Sequence, residues 1–223
     1  MLKIDHFTAG PLGNNCFILA DEASREALLV DAPLESPAQG KKLAARELNF
    51  KGIAITHGHF DHTAEAGFWA KCLAAPVLLH PGDQEWAESG PDHSRMFGMS
   101  VPAFPRWQPL ADGQKLKLGE TEVRVLHTPG HTPGGVCLYV ANDGAGGTHL
   151  FTGDTLFAGS IGRTDLPGGD TAQLLASIKN ILLPLPEKTR VYPGHGEFST
   201  LGEEKAHNPF LAPGGGFALI GIR

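Results

Sequence analysis

The chain has 223 residues and a formal net charge of −6, with 11 histidines and only 3 cysteines. This length favours one domain whose core needs no disulfides, and three irregularly spaced cysteines form neither a disulfide framework nor a zinc-finger pattern. The acidic balance argues against nucleic acids and anionic membranes as partners. The N-terminus lacks the apolar run of a signal peptide, and no run of about 18 apolar residues occurs, so we expect a cytoplasmic protein.

The first third of the chain alternates short β-rich runs with helical patterns. A helix is predicted over 37–48 with Ser36 as its N-cap, and a second over 61–73 with Asp61 as its N-cap. Strands are predicted, in chain order, at 4–8, 16–20, 27–30, 53–55 and 77–79.

The remainder begins with an irregular stretch, 81–112, that the sequence predicts to be a long functional loop with some helix. A helix is predicted over 170–183, with Asp170 as N-cap and apolar residues at helical spacing. Strands are predicted at 123–126, 136–140, 150–152 and 190–192. This mixture favours a layered α/β fold with helices outside a sheet core.

The strongest pattern is T-H-G-H-F-D-H, which begins at residue 56 and follows the predicted strand 53–55. Ligands in open α/β folds bind where strands end. His57 and His59 are two residues apart on an extended segment, so their side chains point the same way and can share one metal ion. Asp61 and His62 fall where the chain turns into a helix, and they suit a second ion nearby.

Three later segments repeat the order of strand, glycine and potential ligand, and they deliver His131, Asp154 and His195. Glycine permits the sharp turn and close backbone approach that such a position needs. Five histidines and two aspartates suit Zn²⁺, Fe or Mn, and they are too many for one tetrahedral ion. We therefore expect two divalent ions, most simply zinc, that share a bridging carboxylate and leave positions open for water, as in a catalytic site.

In this order and spacing, T-H-G-H-F-D-H, P-G-H-T-P-G, F-T-G-D-T-L-F and Y-P-G-H-G resemble the metallo-β-lactamase superfamily over residues 1–211. The run G-D-T-L-F followed by G-S-I-G-R-T-D at 159–165 is similar to type II glyoxalases, the hydroxyacylglutathione hydrolases. The segments 93–99 and 199–211 resemble the short, single-domain bacterial members of that group. The resemblance implies an αββα sandwich, with a catalytic domain at 1–211 and a C-terminal tail at 212–223.

The resemblance also implies a ligand set, with three residues for each ion and one carboxylate between them. In that order these are His57, His59 and His131; Asp61, His62 and His195; and Asp154. Asp61 is in addition expected to act in catalysis, by orienting the attacking water or taking its proton. Arg163 matches the position of a basic substrate-binding residue, and its planar fork suits a carboxylate.

The activity implied is hydrolysis of a small-molecule thioester, S-lactoylglutathione or a related acyl thioester, by a hydroxide that bridges the two ions. Only 28 residues follow His195, too few for the helical domain through which full-length type II glyoxalases hold glutathione. We expect a monomer or a small homo-oligomer. Met96, Phe97 and Met99 are expected either to line the substrate pocket or to pack in the core.

Three other functions remain open at this point. The first is a persulfide dioxygenase with one iron on His57, His131 and Asp154, the facial-triad arrangement. The second is another hydrolase of the superfamily, such as a lactonase, esterase, β-lactamase or RNA-processing nuclease. The third is a metal-binding protein without catalytic activity.

Overall fold

The computed structural model describes residues 1–39, 42 and 46–212, and its framework is a pair of six-stranded sheets. The first sheet follows the chain order, with strands β1 (Leu2–Ala9), β2 (Asn14–Asp21), β3 (Glu26–Val30), β4 (Asn49–Ala54), β5 (Val77–Leu79) and β6 (Trp107–Pro109). The pairs β1–β2 and β2–β3 are antiparallel, and β3 to β6 run parallel.

The second sheet contains β7 (Lys115–Leu118), β8 (Thr121–His127), β9 (Val136–Val140), β10 (His149–Gly153), β13 (Arg190–Pro193) and β14 (Ser199–Thr200). Their order across the sheet is β14-β13-β10-β9-β8-β7, and only β10 and β13 run parallel. The short strands β11 (Leu156–Phe157) and β12 (Ser160–Ile161) form a separate hairpin.

The helices are short and lie before, between and after the later strands. They are α1 (Phe60–Thr63), α2 (Ala66–Leu73), α3 (Gln84–Glu88), α4 (Gly90–Met96), α5 (Thr171–Ser177) and α6 (Leu201–His207). The segments Ser36–Gln39 and Pro81–Asp83 form 3₁₀ turns, and α5 runs on into a π-helical turn, Ile178–Leu182. None of the helices that the structure describes has the length and apolar run needed to cross a bilayer.

Three apolar layers hold the sheets and helices together. The layer between the two sheets includes Phe17, Leu19, Leu138 and Phe151. On the outer face of the first sheet, Trp69 of α2 is fully buried. On the outer face of the second sheet, Leu174 of α5 and Ile178 pack with the strands. Because alternate residues of a strand face opposite sides, each sheet packs on the other sheet with one face and on helices with the other. The predicted αββα sandwich is confirmed.

Several predicted elements differ in detail from the observed ones. The helix predicted over 61–73 is two helices, α1 and α2, and Asp61 lies inside α1 without capping it. The stretch 81–112 contains α3, α4 and the edge strand β6, so it is more regular than expected. Asp170 does cap α5, because its Oδ1 accepts a hydrogen bond from the backbone of Gln173 at 2.9 Å.

Two other predictions, a helix and the C-terminal tail, lie partly outside the described residues. The helix predicted over 37–48 begins as the 3₁₀ turn Ser36–Gln39, and much of the rest of it is not described. The tail predicted at 212–223 lies outside the described structure apart from its first residue.

Candidate metal centre

All seven candidate ligands meet at one end of the sandwich, in loops that follow strands of both sheets. The first sheet supplies His57, His59, Asp61 and His62 after β4, and the second supplies His131, Asp154 and His195 after β8, β10 and β13. An isolated backbone bridge between Asn14 and His195 joins the two sheets at this end. The groups of residues that lie close enough to share an ion are His57, His59 and His131; His57, His62 and Asp154; and Asp61, His62 and His195.

The first cluster has the dimensions of a metal site. His57 Nε2 lies 3.1 Å from His59 Nδ1, and His131 Nε2 lies 3.2 Å and 3.0 Å from those two atoms. Three nitrogens at about 2.0–2.1 Å from a tetrahedral ion are about 3.3 Å apart. The spacing of these three atoms therefore fits a single ion between them.

The hydrogen bonds of the Nδ1 atoms of His57 and His131 indicate which nitrogen of each ring carries the lone pair. The Thr56 hydroxyl donates to Asp31, so the ring of His57 donates through Nδ1 to the Thr56 oxygen at 3.2 Å. His131 donates through Nδ1 to the carbonyl of Arg163 at 2.7 Å. For neutral imidazoles these contacts select the tautomer in which Nε2 carries the lone pair, so the two Nε2 lone pairs face each other. Facing lone pairs repel, and a cation between them removes the repulsion.

The second cluster is built in the same way from Asp61, His62 and His195. His62 and His195 donate through Nδ1 to the Asp31 carboxylate at 2.8 Å and to the Leu12 carbonyl at 3.1 Å. Their Nε2 atoms face each other at 3.3 Å and lie 3.6 Å and 3.4 Å from Asp61 Oδ2. Hydrogen bonds of this kind orient imidazoles that bind metals.

Asp154 lies between the two clusters. Its Oδ1 is 3.4 Å from His62 Nε2, and its Oδ2 is 3.6 Å from His195 Nε2 and 3.7 Å from His131 Nε2. The Oδ1 atom is buried and forms no hydrogen bond in the described structure. The Asp154 carboxylate thus lies within 3.7 Å of imidazoles of both clusters, which is the placement expected of a carboxylate shared by two ions.

The charges of the site favour a cation. Burial lowers the pKa of His57 well below its usual value, and burial together with neighbouring imidazoles lowers that of His59 to about 3. Burial opposes the ionised forms of His62 and Asp61 as well, but the carboxylates of Asp31 and Asp61 stabilise the charge of His62, and His62 in turn stabilises that of Asp61. The pKa of His62 is therefore raised, and that of Asp61 is held well below its usual range. Among the described residues, the buried His59 Nε2 atom has no hydrogen-bond partner.

Two buried aspartates that the sequence analysis did not single out position the ligand loops. Asp31 accepts the hydrogen bonds of Thr56 and His62 described above, and also the Thr56 backbone N–H at 2.8 Å. Asp83 Oδ2 accepts the Gly58 N–H at 2.8 Å and the Thr132 hydroxyl at 2.7 Å. Each aspartate follows the end of a predicted strand, as the ligands do. That shared position is the signal that could have identified them.

Two asparagines at the start of β2 support the second cluster. Asn14 Nδ2 donates to Asp61 Oδ2 at 2.9 Å, within the group of ligand atoms. Asn15 Nδ2 donates to the carbonyls of Pro193 and Gly196, both at 3.0 Å, and so holds the turn that carries His195. No sequence pattern distinguishes these two residues from ordinary turn asparagines.

A cavity of about 470 Å³ opens above the clusters and has five of the seven candidate ligands at its base. Arg163 lines it, and its guanidinium forms a two-point ion pair with Asp165 at 2.7 Å and 2.8 Å. Met96 and Phe97 also line the cavity, whereas Met99 packs in a small apolar cluster beside it.

Comparison with known proteins gives matches along nearly the whole chain. The profile of the metallo-beta-lactamase superfamily matches residues 9–195. The Haemophilus influenzae protein named hydroxyacylglutathione hydrolase GloC is 35% identical over 88% of this chain and 92% of its own length.

Two solved structures are similar in both fold and sequence. BLEG-1 B3 metallo-beta-lactamase is 37% identical, with a TM-score of 0.85, over 95% of this chain and 100% of its own. TTHA1623, solved in a di-iron-bound form, is 40% identical, with a TM-score of 0.83, over 93% of this chain and 100% of its own.

Proposed function

Because the chain belongs to the metallo-beta-lactamase superfamily, in which relatives are named hydrolases, we propose that it hydrolyses a small-molecule thioester. S-lactoylglutathione or a related acyl thioester is the proposed substrate. The observation that carries this proposal is the pair of clusters that share Asp154 at the base of one cavity. The similarity to a protein named hydroxyacylglutathione hydrolase supports the thioester.

We assign the first ion to His57, His59 and His131, the second to Asp61, His62 and His195, and the bridging position to Asp154. Divalent ions bound there would lower the pKa of water to about 7 and polarise a carbonyl. Zinc is the metal proposed, with iron or manganese as alternatives. The printed description of TTHA1623 as di-iron-bound keeps iron among them.

The chain's own groups complete the proposed mechanism. Asp61 remains ionised, because His62 holds its pKa low against burial, so its carboxylate can accept a hydrogen bond from the attacking water and orient it. Transfer of that water's proton to Asp61 is the alternative role proposed for this residue. The leaving thiolate needs little help from an acid. Arg163 stays a predicted carboxylate ligand, and a substrate carboxylate would have to replace Asp165 in the ion pair. Both the present ion pair and the one that would replace it are exposed and weak, so the exchange costs little and adds little to the affinity for the substrate.

We favour hydrolysis over oxygenation by a single iron because the second cluster is complete. A persulfide dioxygenase would use His57, His131 and Asp154 and would leave Asp61, His62 and His195 without a metal. We further propose a cytoplasmic location and a monomer or small homo-oligomer that acts on small molecules without nucleic acid or membrane.

The test is turnover of S-lactoylglutathione beside metal analysis of the same sample. We expect two ions per chain, hydrolysis that chelation abolishes, and recovery when zinc is returned. His195→Ala should lose about one ion per chain and at least about 100-fold in rate, whereas His207→Ala, an exposed residue of α6, should behave as the parent. Two bound ions without hydrolysis of any thioester would overturn the proposal. One iron per chain with oxygen uptake on glutathione persulfide would support the dioxygenase instead.

A further inference from the structure

Above its metal-ligand base, the cavity is walled mainly by apolar side chains. The seven are Leu12, Phe60, Trp86, Met96, Phe97, Leu166 and Pro167. The wall reaches the metal centre directly, because the Trp86 ring packs edge-on against the ring of His59 with centroids 4.8 Å apart. The Phe97 ring packs on Phe60 at 5.6 Å. Apolar side chains therefore line the cavity both beside the first cluster and farther from it.

Apolar side chains at this cavity are exposed, in that no described residue covers them. Met96 is 82% exposed, Phe97 60% and Leu12 47%. These are three of the six exposed large apolar side chains in the described part of the chain. Exposed apolar residues gathered at one concave site are typical of a surface that a ligand covers.

The same walls offer few charges. Among the described residues, Arg163 is the only Lys or Arg that lines the cavity, and Asp165 already pairs with it. Glutathione at neutral pH carries two carboxylates and an ammonium group. Beyond the candidate metal ligands, no acidic side chain of the described part of the chain lines the cavity to meet that ammonium. The walls thus match an apolar group far better than a charged tripeptide.

We propose that this cavity selects thioesters by an alkyl or aryl acyl group packed against the wall formed by Trp86, Met96 and Phe97. The thiol half of the substrate contributes little to selection. This inference rests on the proposed thioester hydrolysis for its turnover test, and a binding test given below is independent of turnover.

The first experiment compares acetyl, butyryl and hexanoyl thioesters, each on glutathione and on the neutral thiol N-acetylcysteamine, with the metal-loaded enzyme. Full burial of a methylene is worth about fourfold in affinity, so we expect kcat/KM to rise about twofold to fourfold per methylene. At equal acyl group, the two thiols should differ by less than about threefold. A flat acyl series together with a preference of more than about tenfold for glutathione would overturn the inference.

Variants of the wall locate the effect. Met96→Gln and Phe97→Gln change exposed side chains, so both should fold, and each should reduce the gain per methylene. Phe68→Gln is the matched control, because Phe68 is 42% exposed on α2 and does not line the cavity. It should leave the acyl series unchanged. If Met96→Gln and Phe97→Gln keep the parent's rise in kcat/KM per methylene, the acyl group does not pack against this wall.

Calorimetry with acetate and hexanoate on the metal-loaded protein separates this inference from the proposed function. Hexanoate should bind at least about tenfold more tightly, and Phe97→Gln should reduce that ratio. If this holds but no thioester is hydrolysed, the reaction proposed above is wrong and the apolar site stands. Equal binding of the two acids would refute the apolar site alone. A dimer in sedimentation that Met96→Gln dissociates would assign this surface to a second copy and also overturn the inference.

Discussion

The buried carboxylate of Asp83 should hold together the ligand loops of the two sheets by accepting hydrogen bonds from both. It accepts hydrogen bonds from Gly58, in the loop after β4, and from Thr132 and the Gly134 backbone, in the loop after β8. Hydrogen bonds to a charged group contribute about 1.5–3 kcal/mol each. Burial raises the pKa of Asp83 and offsets part of this sum. We therefore expect Asp83→Ala to lower the free energy of unfolding of the metal-free protein by about 3–4 kcal/mol.

Urea unfolding of the metal-free protein measures the loss, and Thr132→Val is the matched control. It removes one of the three hydrogen bonds and should cost about 1.5–2 kcal/mol, the lower part of the range for one such bond. Metal titration of Asp83→Ala should show about 10- to 100-fold weaker binding of the first ion and little change for the second. The reasoning fails if Asp83→Ala unfolds within about 0.5 kcal/mol of the parent, or if both ions weaken equally.

Three further changes test other parts of the structure. Asn15→Ala frees the turn of the second cluster and should weaken the second ion about tenfold in calorimetry, with the first ion unchanged. Gly130→Ala places a Cβ against the Leu174 backbone at a φ of +133°, so thermal unfolding should show a loss of about 3 kcal/mol or more. Gly146→Ala, with positive φ but open space, should lose only about 1 kcal/mol. The hydrogen bond with His149 lowers the pKa of Asp143 to about 2, so the ionised carboxylate stabilises the fold above about pH 4, and this stabilisation is lost as the pH falls toward 2. In urea unfolding, Asp143→Asn should therefore be less stable than the parent above about pH 4, by about 1 kcal/mol or less after screening, and equally stable near pH 2.

The parts of the site that the sequence predicts are those determined by a few neighbouring residues in the chain. The T-H-G-H-F-D-H run and the three ligands that follow a strand and a glycine are visible in the order of residues alone, and the structure brings all seven side chains together. The layered fold is predictable for the same reason, since strand and helix periodicities are local. Asp170 caps its helix because an N-cap depends only on neighbouring backbone.

The parts that sequence reasoning missed depend on distant partners. The prediction that Asp61 caps a helix is wrong, because its carboxylate accepts a hydrogen bond from Asn14 and lies 3.4 Å from His195 of the other sheet instead. The support from Asn15 exists only after the β13 loop arrives beside β2. The strand β6 is three residues long and pairs with β5 at the sheet edge, where a proline-rich sequence gives no periodic pattern.

The uneven distribution of the candidate ligands along the chain has a consequence for how an ion is acquired. Four of the seven lie within residues 57–62, and the others are spread from residue 131 to residue 195. The unfolded chain therefore already carries a chelating segment, and ions held there reduce the stabilisation that native binding provides. Because synthesis proceeds from the N-terminus, that segment leaves the ribosome before the second sheet exists. An ion captured there would be enclosed when the second sheet forms, and metal loading and folding would then be coupled.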